Sequence, residues 1–282
     1  MNIKDTLKQH DFHFKKQFGQ NFITDDALLQ NIIDAAEITN DDVVVEVGPG
    51  AATLTYAMAK QAGTVIAIEI DNDLEPNITE RMADCDNFHL VMGDALKIDL
   101  DALVAEKTGK RQSFKVVANL PYYITTPLVM HFLEQSFSID RIVIMVQKEV
   151  ADRFAAEPGT KEYGSITAAL NYYGDVQYAF TVPRHLFLPQ PDVDSAVVDI
   201  RPWMEKTVVA TDEKLLNQLI RAAFNMRRKT LNNALKPLGI DKEILFAAME
   251  QCRISPTLRG EVLSIADFVH LANAITALQN AS

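Results

Sequence analysis

The sequence predicts an α/β protein: a mostly parallel β-sheet covered by helices on both faces, followed by a smaller, all-helical C-terminal domain. Three observations lead there. Short β-branched runs alternate with helical spacings through the first half. Those runs are continuously apolar, as strands buried on both faces must be. Beyond Leu215 strand signals cease, and Leu215, Leu216, Leu219, Ile220 and Ala223 keep helical spacing. In order, the first strand is expected at 42–47, ending at Gly48-Pro49-Gly50, with a helix behind it. A second strand follows at 64–70, a helix around 74–83, and a third strand at 88–92 closed by Gly93-Asp94. Strands at 114–118, 141–146 and 196–200 complete the set, with loops at Pro158-Gly159, Pro183 and Pro189/Pro191. Further helices are expected over 241–251 and 264–278. The boundary is set near Pro202, giving domains 1–202 and 203–282.

Composition narrows the class. Nearly half of the 282 residues (48%) are hydrophobic, but no run approaches the roughly 20 apolar residues of a membrane span. The first residues, MNIKDTLKQHDFHFKK, put no apolar core behind their charges, so no secretory signal is expected. Cys85 and Cys252 stand far apart without a ligand pattern, which argues against a disulfide framework and a metal site and fits a reducing cytoplasm. The net charge of −11 opposes a polyanionic partner overall, but it is unevenly spread. Residues 1–205 carry 17 Lys+Arg against 31 Asp+Glu, whereas residues 206–282 carry 10 against 7, including Arg227-Arg228-Lys229. Lys15-Lys16 is a smaller basic spot. Charge alone favours solvated helix faces at these places.

In an open α/β sheet, ligands bind at the carboxyl ends of the strands. Glu46-Val47-Gly48-Pro49-Gly50 ends the first strand, where glycines let a ligand approach the backbone. Glu69 ends the second, 21 residues after Gly48, placed for ribose hydroxyls; Asp94 ends the third, within reach of an adenine ring. A dinucleotide fingerprint would want a third glycine where Thr53 stands. A carboxylate at Glu46 suits a cationic ligand better than a pyrophosphate. The set favours S-adenosylmethionine and leaves a dinucleotide open.

Asn119-Leu120-Pro121-Tyr122 ends the fourth strand and turns the balance. An exocyclic adenine nitrogen is a poor nucleophile because its lone pair is delocalised into the ring. The Asn119 side-chain oxygen and the Leu120 carbonyl form an acceptor pair for both N6 protons, drawing that lone pair towards a methyl donor. Pro121 stiffens the turn, and Tyr122 offers a stacking face for a flipped base. A plain β-turn is the alternative for the tetrapeptide taken alone.

These segments, with KKQFGQNFI (15–23), QKEV (147–150), YGSI (163–166), FLPQPDVDSAVV (187–198) and FNMRRKTLNNAL (224–235), resemble the KsgA/Dim1 family of ribosomal RNA adenine dimethyltransferases, on its bacterial branch. The resemblance implies a Rossmann-like class I methyltransferase sheet and S-adenosylmethionine as methyl donor, with no metal. It implies as substrate two adjacent adenosines in a hairpin loop near the 3′ end of 16S rRNA within the small ribosomal subunit. It also implies a cytoplasmic monomer with a role in small-subunit biogenesis. It assigns Asn21 and Ile23 to the cofactor pocket beside Gly48, Glu69, Asp94 and Asn119; the residues alone read Gln-Asn-Phe equally well as a helix N-cap. It assigns Phe187 as an aromatic facing Tyr122 across the base, where the residue alone reads as a core or loop anchor. It gives Arg227, Arg228 and Lys229 to rRNA phosphates. Gln17 departs from the basic residue common in the family. Three rivals are a 23S rRNA resistance methyltransferase, a non-catalytic assembly factor and an NAD(P)-dependent oxidoreductase.

Overall fold

The computed structural model describes residues 22–23, 25–122, 124–135 and 137–281. The chain divides into two compact units: the first comprises residues up to Ala151 together with Val176–Pro202, the second Asp152–Asp175 together with Trp203 onward.

The first unit is built on the expected sheet. Strand β1 (Phe22–Ile23) is followed by α1 (Asp26–Ala35), which starts where the Asp25 carboxylate accepts from Leu28 N at 2.7 Å. Then come β2 (Val43–Val47), α2 (Thr53–Ala59), β3 (Thr64–Glu69), α3 (Glu75–Arg81), β4 (Phe88–Met92), α4 (Leu100–Thr108), β5 (Phe114–Asn119), α5 (Thr125–Glu134), β6 (Ile139–Gln147) and α6 (Lys148–Phe154). The sheet order is β4-β3-β2-β5-β6-β9-β7, where β7 is Gly174–Val182 and β9 is Ser195–Pro202. Strands β2 to β6 run parallel, and β6 pairs antiparallel with β9. The chain winds outward from β2 through β3 to β4, then restarts beside β2 with β5. This reversal of direction opens a crevice beyond the carboxyl ends of β2 and β5.

Three strands, β1, β7 and β8, escape the sequence reading. β7 alternates exposed and covered residues instead of running apolar, as a strand at the margin of a sheet does. β8 (Phe187–Leu188) pairs with β1, and at two residues each is too short to leave a periodic signal.

The second unit packs α7 (Ser165–Tyr173), α8 (Glu213–Asn225), α9 (Leu231–Leu235), α10 (Lys242–Gln251) and α11 (Ile265–Ala281) around one apolar cluster. The Pro202 boundary falls at the end of β9, but Asp152–Asp175 clusters with the helical unit, not with the sheet. Tyr163 and Tyr172 explain that placement. Both rings are buried in the helical core, with Tyr163 donating to the Leu263 carbonyl at 2.8 Å and Tyr172 to Glu213 at 2.9 Å.

At the amino end of β6, away from the crevice, Arg141 is bound twice by Asp199 of β9, at 2.9 and 2.7 Å, and pairs with Glu37 at 2.8 Å. Asp199→Ala leaves the buried guanidinium with only the exposed Glu37 as partner, and we expect it to destabilise the protein by about 3 kcal/mol in urea unfolding. Replacing both partners by Arg141→Met and Asp199→Leu is expected to recover most of that loss.

Candidate active site

The crevice is lined by the ends of four parallel strands: Glu46 to Gly50 after β2, Glu69 and Ile70 at β3, Gly93 and Asp94 after β4, and Asn119 to Tyr122 after β5, with Phe22 and Ile23 of β1 beside them. Backbone conformation makes the opening. Gly48 and Gly50 have φ of +72° and +57°, a region that penalises side chains. A Cβ on Gly50 would stand 2.6 Å from the Phe22 ring, so that position is closed to other residues by packing as well.

The two glutamates differ from what their sequence positions suggest. Glu46 is fully buried inside β2, and Thr55 Oγ1 donates to it at 2.5 Å. Burial pushes its pKa up to about 8, and the neighbouring Glu69 adds to the rise. Near neutrality it is therefore largely protonated, and it cannot discriminate against a pyrophosphate by fixed charge as its sequence position suggests. Glu69 is also buried, and burial raises its pKa against the pull of its backbone hydrogen bonds. Its Oε1 accepts from Ile70 N at 2.9 Å and Asp71 N at 2.8 Å, and its Oε2 accepts more loosely from Gly50 N at 3.3 Å. Two lone pairs on each oxygen leave one acceptor direction open, on Oε2. This suits one ribose hydroxyl; engaging two requires Gly50 N–H to let go. Asp94 accepts from Leu96 N at 3.1 Å and pairs with the exposed Lys97 at 3.3 Å, leaving the carboxylate on the cavity wall.

The tetrapeptide is held from both sides. Leu120 is buried, and its N–H donates to the Met145 carbonyl at 3.2 Å, extending the β5–β6 ladder past Asn119. The Pro121 carbonyl accepts from Ile124 N and from the buried Thr125 Oγ1, both at 3.1 Å. The Tyr122 hydroxyl and Ser195 Oγ share a hydrogen bond of 2.8 Å, and burial raises the phenol pKa, so the ring is anchored and neutral. Ser195 was not found by sequence reading; its only signal is a polar residue opening an apolar strand.

Of the expected cofactor residues, Ile23, Gly48, Glu69, Asp94 and Asn119 come together on one cavity, with Leu120, Pro121 and Tyr122 of the catalytic set. Asn21 lies outside the described residues. Phe187 is not brought to the cavity: it is 4% exposed, paired with Ile23, and packed in the core of the first unit. Arg227 also departs from expectation. Its guanidinium is tied to Glu261 at 2.6 Å and to the Thr160 carbonyl at 3.1 Å, whereas Arg228 and Lys229 are exposed. Among the described residues no cluster of His, Cys, Asp or Glu is arranged to hold a metal. No helix there is long and apolar enough to cross a membrane.

The buried carboxyl at Glu46 has a consequence for stability. Between pH 4.5 and about 8 the folded chain keeps a proton that the unfolded chain has lost, so raising the pH across that window favours unfolding. Glu46→Gln removes this linkage and keeps an acceptor for Thr55. In urea unfolding at pH 5 to 9.5, we expect the variant to gain on the parent up to about pH 8, by a few kcal/mol in order of magnitude, and then level off. A pH-independent difference would contradict the assignment of that proton.

Comparison with known proteins agrees with this geometry. The model of the family described as ribosomal RNA adenine dimethylase matches residues 11–277. A "Ribosomal RNA small subunit methyltransferase A" of Clostridium acetobutylicum is 44% identical, covering 97% of this chain and 98% of its own length. The protein of that name from Geobacillus thermodenitrificans is 44% identical over 98% and 95%. Among solved structures, a dimethyladenosine transferase from Plasmodium falciparum superposes with a TM-score of 0.72 at 26% identity, covering 89% of this chain and 95% of that one. The 23S rRNA methyltransferase ErmE shares the fold, with a TM-score of 0.71 at 22% identity over 90% and 99%. A match running from residue 11 to residue 277 leaves the assignment plain: the chain belongs to the ribosomal RNA adenine dimethylase family.

Proposed function

We propose that the protein methylates N6 of two adjacent adenosines in a hairpin loop near the 3′ end of 16S rRNA, within the small ribosomal subunit, giving N6,N6-dimethyladenosine during subunit biogenesis. It works as a cytoplasmic monomer, with residues 1–202 as the methyltransferase domain and 203–282 as the rRNA-binding domain. The observation that carries the reading is the rigidly held Asn119-Leu120-Pro121-Tyr122 turn on the wall of a cavity that Gly48, Glu69 and Asp94 also line.

S-adenosylmethionine supplies an electrophilic methyl group on a sulfonium. The residues present fit it: an apolar slot formed by Ile23, Ile70 and Leu128 suits a nucleoside, and acidic groups at Glu69 and Asp94 offer acceptors to ribose and adenine. Gly48 leaves the backbone bare where the methionine portion approaches. Asn119 Oδ1 and the Leu120 carbonyl accept the two N6 protons of the target base, which takes the lone pair out of ring conjugation. Tyr122 stacks on the base, with its ring set by Ser195. No side chain needs to act as a strong base, because the alkylated nitrogen is itself acidic. Phe187, in register with Ile23 of the cavity wall, is assigned the far face of the base. Arg228 and Lys229 meet rRNA phosphates, and Arg227 shapes the segment that presents them.

Incubation with labelled S-adenosylmethionine and small subunits from a strain lacking this modification is expected to place label on two adjacent 16S adenosines; label in 23S rRNA, or none, overturns the reading. Asn119→Ala is expected to bind the methyl donor and transfer it ~10²–10³ times more slowly, by analogy with loss of one preorganised hydrogen-bonding group. Turnover near the parent rate would remove Asn119 from its role. Arg228→Ala with Lys229→Ala is expected to weaken subunit binding and lower the slope of log affinity against log salt by about 1 to 2. An unchanged slope would return both to the solvated surface.

A further inference from the structure

The turn that opens the cavity runs into a residue held in an unfavourable conformation. Ala52 has φ +54° and ψ +34°, the left-handed region, and is fully buried. For a residue with a Cβ this region is disfavoured by about tenfold or more relative to the right-handed one, whereas glycine takes it freely. Ala52 N donates to the Pro49 carbonyl at 2.8 Å, which closes the turn. The Ala52 carbonyl accepts Tyr56 N at 3.1 Å, the first bond of α2, and also Arg81 Nε at 3.0 Å.

Arg81 is an unusual donor for that place. It is the last residue of α3, and its guanidinium lies 5.5 Å from the Tyr56 ring centroid. Burial pulls its pKa below the ordinary arginine value. Among the described residues no carboxylate stands within ion-pairing distance of it, and its one hydrogen bond goes to the Ala52 carbonyl. Asp26 acts on this partly desolvated guanidinium only through space, without a direct ion pair among the described residues, so the one bond it makes is informative. The carbonyl it takes belongs to the residue that ends the Gly48–Gly50 turn, on the other side of which Gly50 N reaches Glu69 Oε2.

We propose that Arg81 is a positioning residue for the cofactor turn: its Nε–H fixes the Ala52 carbonyl, keeps Ala52 left-handed, and so holds Gly48 to Gly50 open to the methyl donor. It touches no reacting atom and acts only through Ala52, which lies behind the cavity wall. The proposal rests on reading this cavity as the S-adenosylmethionine site. It carries a consequence that packing of α3 alone does not. A glycine at position 52 adopts the same conformation without help, so the effect of losing Arg81 depends on which residue stands at 52.

The test uses the full chain as parent, Arg81→Gln, Ala52→Gly and the double variant. It measures S-adenosylmethionine affinity by calorimetry, KM and kcat on small subunits, and thermal melting. Arg81→Gln is expected to lower affinity about tenfold and raise KM to match, with kcat within about twofold. Ala52→Gly alone stays within about twofold of the parent, and in the Arg81→Gln background it restores affinity to within about threefold. Parent affinity in Arg81→Gln overturns the proposal, and so does a loss of equal size with alanine or glycine at 52. If Arg81→Gln fails to fold, Arg81→Lys, which keeps charge and stem but loses the planar Nε donor, carries the same comparison. A parent chain that binds no S-adenosylmethionine would instead overturn the reading of the cavity.

Discussion

Between residues 48 and 52 the chain leaves β2 with three positive φ angles, at Gly48, Gly50 and Ala52, and much of the first unit follows from that reversal. The turn lets the backbone double back over the strand end with bare backbone at Gly48 and Gly50 on the cavity wall. It is stabilised from three directions. Phe22 covers Gly50, Glu69 of the neighbouring strand accepts its N–H, and Arg81 takes the Ala52 carbonyl. Each support comes from a different element, so the geometry of the cavity depends on β1, β3 and α3 being in register around β2. The glycines explain why the turn is possible; the supports explain why it has one shape.

Much of this was legible in the sequence because doubly buried parallel strands have a plain signature. The runs at 42–47, 64–70, 88–92 and 114–118 lie within about a residue of the strands found, and the acidic and amide residues at their ends were found because strand ends are where an α/β sheet binds ligands. What stayed hidden depends on three-dimensional surroundings. β7 alternates, so it looks like neither a buried strand nor a helix. Tyr163 and Tyr172 look like ordinary aromatics in a loop-rich stretch, and only their burial among the later helices assigns 152–175 to the second unit. The state of Glu46 is hidden for the same reason: a carboxyl in VVVEV looks charged until its full burial is known.

The two glutamates show how proximity divides similar groups. Both line the same cavity near strand ends, and burial raises both pKa values. Glu69 has three backbone N–H donors to hold its charge, whereas Glu46 has a single threonine hydroxyl. The first keeps its carboxylate held by backbone donors at the cavity wall, whereas the second sits inside β2 with a raised pKa. Charge alone at the sequence level would rank them equally; counting donors separates them.

The same counting bears on the basic run in the second unit. Three adjacent cations look equivalent in sequence, and a strongly acidic chain makes any of them attractive as an anchor for RNA. Arg227 is bound to Glu261 and Thr160, so a phosphate would have to compete for a guanidinium already engaged inside its own unit. Arg228 and Lys229 are exposed and stand next to it in the chain. An arginine tied to two acceptors of its own unit fixes where its neighbours emerge, and the exposed neighbours present their charges to solvent. The division of labour follows from geometry: one cation orders the segment and two face outward. An acidic protein can then present a small positive surface without carrying a positive field, which favours a partner that docks by shape at close range over one drawn in from a distance.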